Sequence, residues 1–210
     1  MQRALILPVF RCVIEDDSHT AIRANGDANL TVNNSRISAR YYGISVSSSQ
    51  SDGEIWIPGS GVETSNTSVI VENTEIYGGS YAVRCSGRAI DCRVANSHLK
   101  MNTGQVISCH NVRSCTVQHC TLNSSHLYEL AVSAANVQTL IIDGNIIANK
   151  TSGQVVRASQ CHSVQVRIDF HLELSNSAQV QFDNNNNNNN TQIASQINLL
   201  QIKRVCFVKK

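Results

Sequence analysis

Charge is scarce in this chain. Asp, Glu, Lys and Arg make up 15% of its 210 residues, and the formal net charge is +2. So small a basic excess gives no electrostatic footprint for a nucleic-acid partner. No apolar run approaches the roughly 18 residues of a membrane-spanning helix, so no membrane span is expected. Two Pro and eleven Gly exclude collagen-like and Pro-rich architectures. Aromatics are only 5% of the chain, with a single Trp. No Gly-rich phosphate loop, nucleophile elbow or zinc-protease motif occurs. The eight Cys include no paired C-x-x-C knuckle, which argues against a zinc site.

What the chain has instead is Ser, Asn, Val and Ile, a composition suited to short strands joined by polar turns. It also has a repeat: apolar, any, apolar, two of any, small polar or Cys, any, apolar. The copies are Leu30-x-Val32-x-x-Ser35-x-Ile37, Val69-x-Val71-x-x-Thr74-x-Ile76, Cys92-x-Val94-x-x-Ser97-x-Leu99, Cys115-x-Val117-x-x-Cys120-x-Leu122 and Leu140-x-Ile142-x-x-Asn145-x-Ile147. A weaker copy opens the chain at Leu7, and a partial one stands at Val164-x-Val166. The first positions are separated by 23, 39, 23, 23, 25 and 24 residues. A near-constant period in the twenties marks a solenoid whose repeats stack on one another.

The second half of each repeat chooses the architecture. Gly43-Ile-Ser-Val46, Tyr81-Ala-Val-Arg-Cys85, Gln105-Val-Ile-Ser-Cys109, Glu129-Leu-Ala-Val-Ser133 and Gln154-Val-Val-Arg-Ala158 are short, largely β-branched segments between polar turns, and they read as strands. The first half alone also fits a leucine-rich repeat, but that fold usually returns by a helix or extended turn carrying spaced Leu, and Leu is sparse here. The expectation is an all-β parallel β-helix of about six to seven coils, with the leucine-rich horseshoe as the alternative.

The interval of 39 residues is one coil of 23 plus an insertion of 16 (39 − 23 = 16) within 47–67. This segment carries Trp56, Pro58, Asp52, Glu54 and Glu63. Insertions in solenoids project from one face and often bind, so Trp56 is a candidate ligand-binding residue. The β-helix is expected over 1–175. A low-complexity linker over 176–192 contains seven consecutive Asn at 184–190, and 193–210 forms a C-terminal tail or cap. The N-terminal stretch carries no small-x-small cleavage site, and Leu7 and Val9 already fit the repeat, so either the first coil begins here or Met1 is an internal start in a longer protein. Localisation stays open. Cys12, Cys92, Cys115 and Cys120 fall on repeat columns as free core thiols, which favours a reducing compartment. Six Asn-x-Ser/Thr sequons, at Asn29, Asn33, Asn66, Asn123, Asn149 and Asn189, point the other way.

Asn29-Leu-Thr-Val-Asn-Asn-Ser-Arg-Ile37 followed by Gly43-Ile-Ser-Val46, the two coils after it, and Asn136 to Ile147 resemble the right-handed parallel β-helix repeats of the pectin-lyase-like superfamily. The resemblance covers roughly residues 5–175 and carries fold rather than function, because the repeat residues are core and turn residues. It implies inward columns stacked coil on coil, with a turn column of small polar side chains satisfying turn amides. The superfamily includes polysaccharide lyases and hydrolases, uronan epimerases, phage tailspikes and adhesins, and fold does not choose among them.

Enzymes of that superfamily use clustered carboxylates, often with Arg, Lys or calcium, on one outer sheet face. One outer face here offers only Asp91 and Arg93 among hydroxyls, a surface ion pair. The best constellation lies just past the turn, where Arg36, Glu75, His98 and Thr121 align, with Tyr77, Lys100 and Asn123 two positions on. Neighbouring strands lie about 4.8 Å apart, so Glu75 and His98 are within hydrogen-bond reach as a general-base pair, with Lys100 as a third catalytic candidate. Tyr77 is placed to stack on a sugar, with Arg36 and Asn123 as further ligand contacts. Glu15, Asp16 and Asp17 are the weak candidates for a calcium site, and no other cofactor is expected.

The first reading is a noncatalytic β-helix presenting an extended surface to a glycan or protein, with end-to-end or lateral self-association open to its exposed ladder ends. The alternatives are a polysaccharide-processing enzyme (lyase, hydrolase or epimerase) using a sheet-face groove, and a structural repeat subunit.

Overall fold

A computed structural model describes residues 5–17, 19–26, 28–47, 67–87, 90–124, 130–148, 153–170, 178–183, 194–199 and 205–209. Every regular element among them is a strand, and every strand pairing is parallel. The chain is an all-β parallel β-solenoid of about five turns. The first turn comprises β1 (Leu5–Phe10), β2 (Val13–Asp16) and β3 (Thr20–Asn25), and the second β4 (Ala28–Asn33), β5 (Arg36–Ala39) and β6 (Tyr42–Ser47). The third holds β7 (Thr67–Glu72), β8 (Glu75–Gly78) and β9 (Tyr81–Ser86). The fourth holds β10 (Ile90–Ala95), β11 (His98–Met101) and β12 (Gln105–His110), and the fifth β13 (Ser114–Gln118), β14 (Thr121–Ser124) and β15 (Val132–Ala135).

Beyond them β16 (Thr139–Ala148) runs through the corner and pairs with both β13 and β14. The ladders continue through β17 (Gly153–Ser159), β18 (Ser163–Phe170), β19 (Ala178–Asp183), β20 (Ala194–Leu199) and β21 (Val205–Lys209). The first two strands of each turn belong to one sheet of thirteen strands, and the third to a sheet of eight.

Strand alternation makes the repeat into a wall, since every second side chain points inward. β4 and β7 alternate buried and half-buried residues throughout. The two expected apolar columns appear in register: Leu7 on Leu30, Leu30 on Val69, Val69 on Cys92, Cys92 on Cys115, Cys115 on Leu140 and Leu140 on Val164. Val9, Val32, Val71, Val94, Val117, Ile142 and Val166 stack beside them. The interval of 39 residues between Leu30 and Val69 closes in the same register as those of 23. Residues 48–66, Trp56 included, and the Asn run at 184–190 lie outside the described residues.

The turn column works as expected. Ser35 Oγ accepts from the Cys12 amide at 3.2 Å, Ser97 Oγ from the Thr74 amide at 3.2 Å, and Asn145 Oδ1 from the Cys120 amide at 2.9 Å. A second, unforeseen column stands one residue earlier. Arg11, Asn34, Asn73, Asn96, His119 and Gly144 all have left-handed backbones, with φ between 49° and 59°. Asn and Gly suit that conformation because other side chains crowd the following carbonyl. At the opposite corner Asn111, Asn136 and Gln160 repeat the device.

Candidate functional site

The face beyond the turn column is formed by β5, β8, β11 and β14, whose register sets Arg36 beside Glu75, Glu75 beside His98 and His98 beside Thr121. Lys100 lies between Tyr77 and Asn123 in the next row. The expected neighbours are therefore together, but the Glu75–His98 hydrogen bond does not form. Tyr77, two positions along the same strand, reaches back and donates its hydroxyl to Glu75 Oε2 at 2.8 Å. That bond, then burial and the Glu75 charge, raise the Tyr77 hydroxyl above its usual 10.0, while Arg36 opposes them. Arg36 sits over the Tyr77 ring, 5.2 Å from its centroid, and His98 lies 6.1 Å away, ring to ring. Asn123 is only 6% exposed and its Oδ1 has no hydrogen-bond partner, so it is not part of the open face.

Glu15 stands in the row of Tyr77, two rungs away through Ser38, a separation of about 10 Å that makes no carboxylate pair with Glu75. Glu15 and Asp16 occupy successive strand positions, which face opposite ways. Asp16 accepts from the His19 amide at 3.3 Å. Among the described residues Glu15, Asp16 and Asp17 do not converge on one point.

On the neighbouring face Asp91 pairs with Arg113 rather than Arg93. Arg113 Nε donates to Oδ1 at 2.9 Å, its Nη2 reaches the other carboxylate oxygen, and Ser114 Oγ donates to Oδ1 at 2.6 Å. Burial pushes the Asp91 carboxyl up, but the bonds from Arg113 and Ser114 outweigh it and hold it below its ordinary 3.8. Arg93 turns to Glu72 at 3.4 Å.

The eight-stranded sheet carries a feature the sequence reading passed over. Its ladder aligns Tyr42, Tyr81 and Gln105 in one row, and Ser45, Arg84 and the buried Ser108 and Ser133 in the next. Tyr42 and Tyr81 stack with centroids 5.3 Å apart and planes at 20°. The Arg84 guanidinium lies 5.6 Å and 5.9 Å from the two rings and donates to the Tyr42 hydroxyl at 3.4 Å. Beside them a groove of about 470 Å³ is lined by Tyr81, Arg84, Ser86, Gln105, Ser108, His110 and Asn111. Gln105 Oε1 is buried there without a partner. Desolvation, with Arg84 adding to it, lowers the His110 imidazole below its ordinary 6.5. Among the described residues the lining has an aromatic face, a guanidinium, an imidazole, amides and hydroxyls, and no carboxylate.

Inside the solenoid, Cys85, Cys92, Cys109 and Cys115 are at most 1% exposed. The sulfurs of Cys92, Cys109 and Cys115 all lie within 4.8 Å of one another. Burial pushes the thiols of Cys120 and Cys161, which stand elsewhere in the core, up to about 11.

No protein-family model, curated protein or solved structure matches the chain. No helix among the described residues is long and apolar enough to cross a membrane.

Proposed function

We propose that this chain is a noncatalytic β-solenoid that binds an extended acidic glycan along the outer face of the eight-stranded sheet. The fold would be the right-handed, pectin-lyase-like kind, acting as a module of an adhesin or fibre-like protein. The observation that carries the reading is the stacked Tyr42–Tyr81 pair, capped by Arg84, beside a groove with no carboxylate among its described lining residues. Aromatic faces hold sugar rings, and a guanidinium matches a carboxylate. Most glycoside hydrolases use two carboxyl groups flanking the bond, whereas here Glu75 and Asp91 are each engaged by a neighbouring side chain.

The test is a panel of acidic and neutral polysaccharides, with binding and the appearance of new reducing or unsaturated ends recorded together. Binding to uronate-bearing chains without new ends, weakened by Tyr81→Ala, is the expected result. New ends abolished by Glu75→Gln would make the protein a polysaccharide-processing enzyme instead. Silence on both would favour a structural subunit, and capture only of a protein partner would replace the glycan.

A further inference from the structure

Two inward columns carry cysteine at the same two levels of the stack. Cys85 on β9 is in register with Cys109 on β12, and Cys92 on β10 with Cys115 on β13. The two sheets face each other across the interior, so the four thiols make a two-by-two array. Cys109 Sγ approaches Cys115 Sγ to 2.7 Å, and Cys92 is close to both. Cys85, in register with Cys109, stands beside this triad. We propose that Cys85, Cys92, Cys109 and Cys115 form a buried site for one thiophilic d10 cation, Zn(II) or Cu(I).

The columns themselves argue for a purpose. One level before the array they hold Val46 and Val69, and one level after it Ala134 and Leu140. Aliphatic side chains therefore serve these positions elsewhere, and they seal the array above and below. Cysteine replaces them in both columns together, at two consecutive levels. Four sulfurs with no oxygen donor among them select a soft cation over magnesium or calcium. A tetrahedral ion at the usual zinc–sulfur length of about 2.3 Å sets its sulfurs about 3.8 Å apart, within the spread of Cys92, Cys109 and Cys115; Cys85 does not belong to that close triad and must move in to serve as the fourth ligand. The 2.7 Å approach of Cys109 to Cys115 must open by about 1 Å to reach that spacing. It is also longer than a disulfide's roughly 2.05 Å. Binding releases thiol protons as the cation takes their place, and because the array is closed to solvent, loading accompanies folding.

The absent C-x-x-C knuckle does not count against such a site. Local spacing matters when one turn must hold two ligands, whereas here Cys85 with Cys109, and Cys92 with Cys115, are brought together by the stacking of turns.

The experiment uses the full chain, refolded under reductant with Zn(II), Cd(II) or Cu(I) and desalted. Native mass spectrometry counts bound ions, and near-ultraviolet absorption reports the cadmium–thiolate charge transfer. The expected result is one retained ion per chain, a thiolate band with Cd(II), and a higher melting temperature than the metal-free protein. The variants Cys92→Val and Cys109→Ala place in each column a residue it holds elsewhere, so they keep the fold while losing the ion and the band. Cys120→Ser and Cys161→Ser, in buried thiols outside the array, retain both. Retention of Zn(II) or of Cu(I) identifies the native cation class. Three results overturn the proposal: no ion retained by the wild-type chain, an ion retained equally by the Cys92→Val/Cys109→Ala double variant, or a Cys109–Cys115 disulfide in the native protein.

Discussion

Tyr42 and Tyr81 stack ring on ring because they occupy the same outward position on adjacent strands, β6 and β9. Thirty-nine residues separate them in the chain, yet the ladder makes them neighbours, and Arg84 from the same strand as Tyr81 closes over both rings. Tyr81→Ala and Arg84→Ala should each weaken glycan binding about two- to tenfold, the range expected of one aromatic or cation–π contact. The melting temperature should barely change, since neither side chain is in the core. Titration calorimetry beside a thermal melt checks both halves, and equal affinity for the variants would remove the groove from consideration.

His110 gives binding a pH signature. Desolvation and Arg84 hold its imidazole below 6.5, so it is neutral at neutral pH and gains charge only as pH falls through that lowered value. A uronate keeps its own charge in this window, so its affinity should rise on acidification. His110→Gln should flatten the profile, and a wild-type affinity independent of pH would contradict the assignment.

The corner amides offer a stability test. Asn145 is fully buried, accepts from the Cys120 amide and donates to the Val117 carbonyl at 2.8 Å. Asn145→Ala leaves both groups unpaired in the interior and should cost about 2–4 kcal/mol. Asn145→Ser should cost less, because Ser35 and Ser97 already receive the corresponding amides. Denaturant unfolding measures the order, and equal losses for the two variants would sink the argument.

A backbone test stands beside it. Asn96 has φ 50°, a conformation that costs most side chains about 1–2 kcal/mol. Asn96→Val should lose about that much, whereas Asn96→Gly should remain within about 0.5 kcal/mol of wild type. A fully tolerated valine would mean the corner relaxes.

For Asp91 the effect should be small and tied to acid. Its folded-state carboxyl lies below 3.8, so its contribution is complete above the unfolded-state value and lost as pH falls through the folded one. The pair is part-exposed, and Asp91→Asn should therefore cost no more than about 1 kcal/mol near neutral pH. The deficit should vanish in strong acid. A deficit that grew on acidification would reverse the sign and the assignment.

The inward residues made the fold legible. Leu30, Val69, Cys92 and Cys115 recur at intervals the chain prints openly, and burial allows few substitutes. The Arg36–Glu75–His98 row was legible for the same reason, because counting from an inward column locates the outward ones. What counting could not give was contact geometry: Tyr77 rather than His98 takes the Glu75 carboxylate, and Arg113 rather than Arg93 takes Asp91. The groove was hidden because the row of Tyr42 and Tyr81 breaks off at Gln105, and outward positions are free to vary. The thiol array was hidden because it joins two columns from opposite sheets, and linear spacing carries no record of which columns face each other. Asn34, Asn73 and Asn96 went unread as a column, and the backbone angles supply the reason for it.

The equal register of Leu30 on Val69 and of Cys92 on Cys115, across 39 and 23 residues, means that the stack counts rungs, not residues. Lengthening a connection raises closure entropy only logarithmically, about 0.6 kcal/mol per doubling, while losing one residue inside a strand would turn every following side chain to the wrong side. The same chain is therefore forgiving between β6 and β7 and intolerant within them. Segment 48–66 is accordingly the place where natural variation or an engineered graft can change what the solenoid presents while leaving the solenoid itself unaltered.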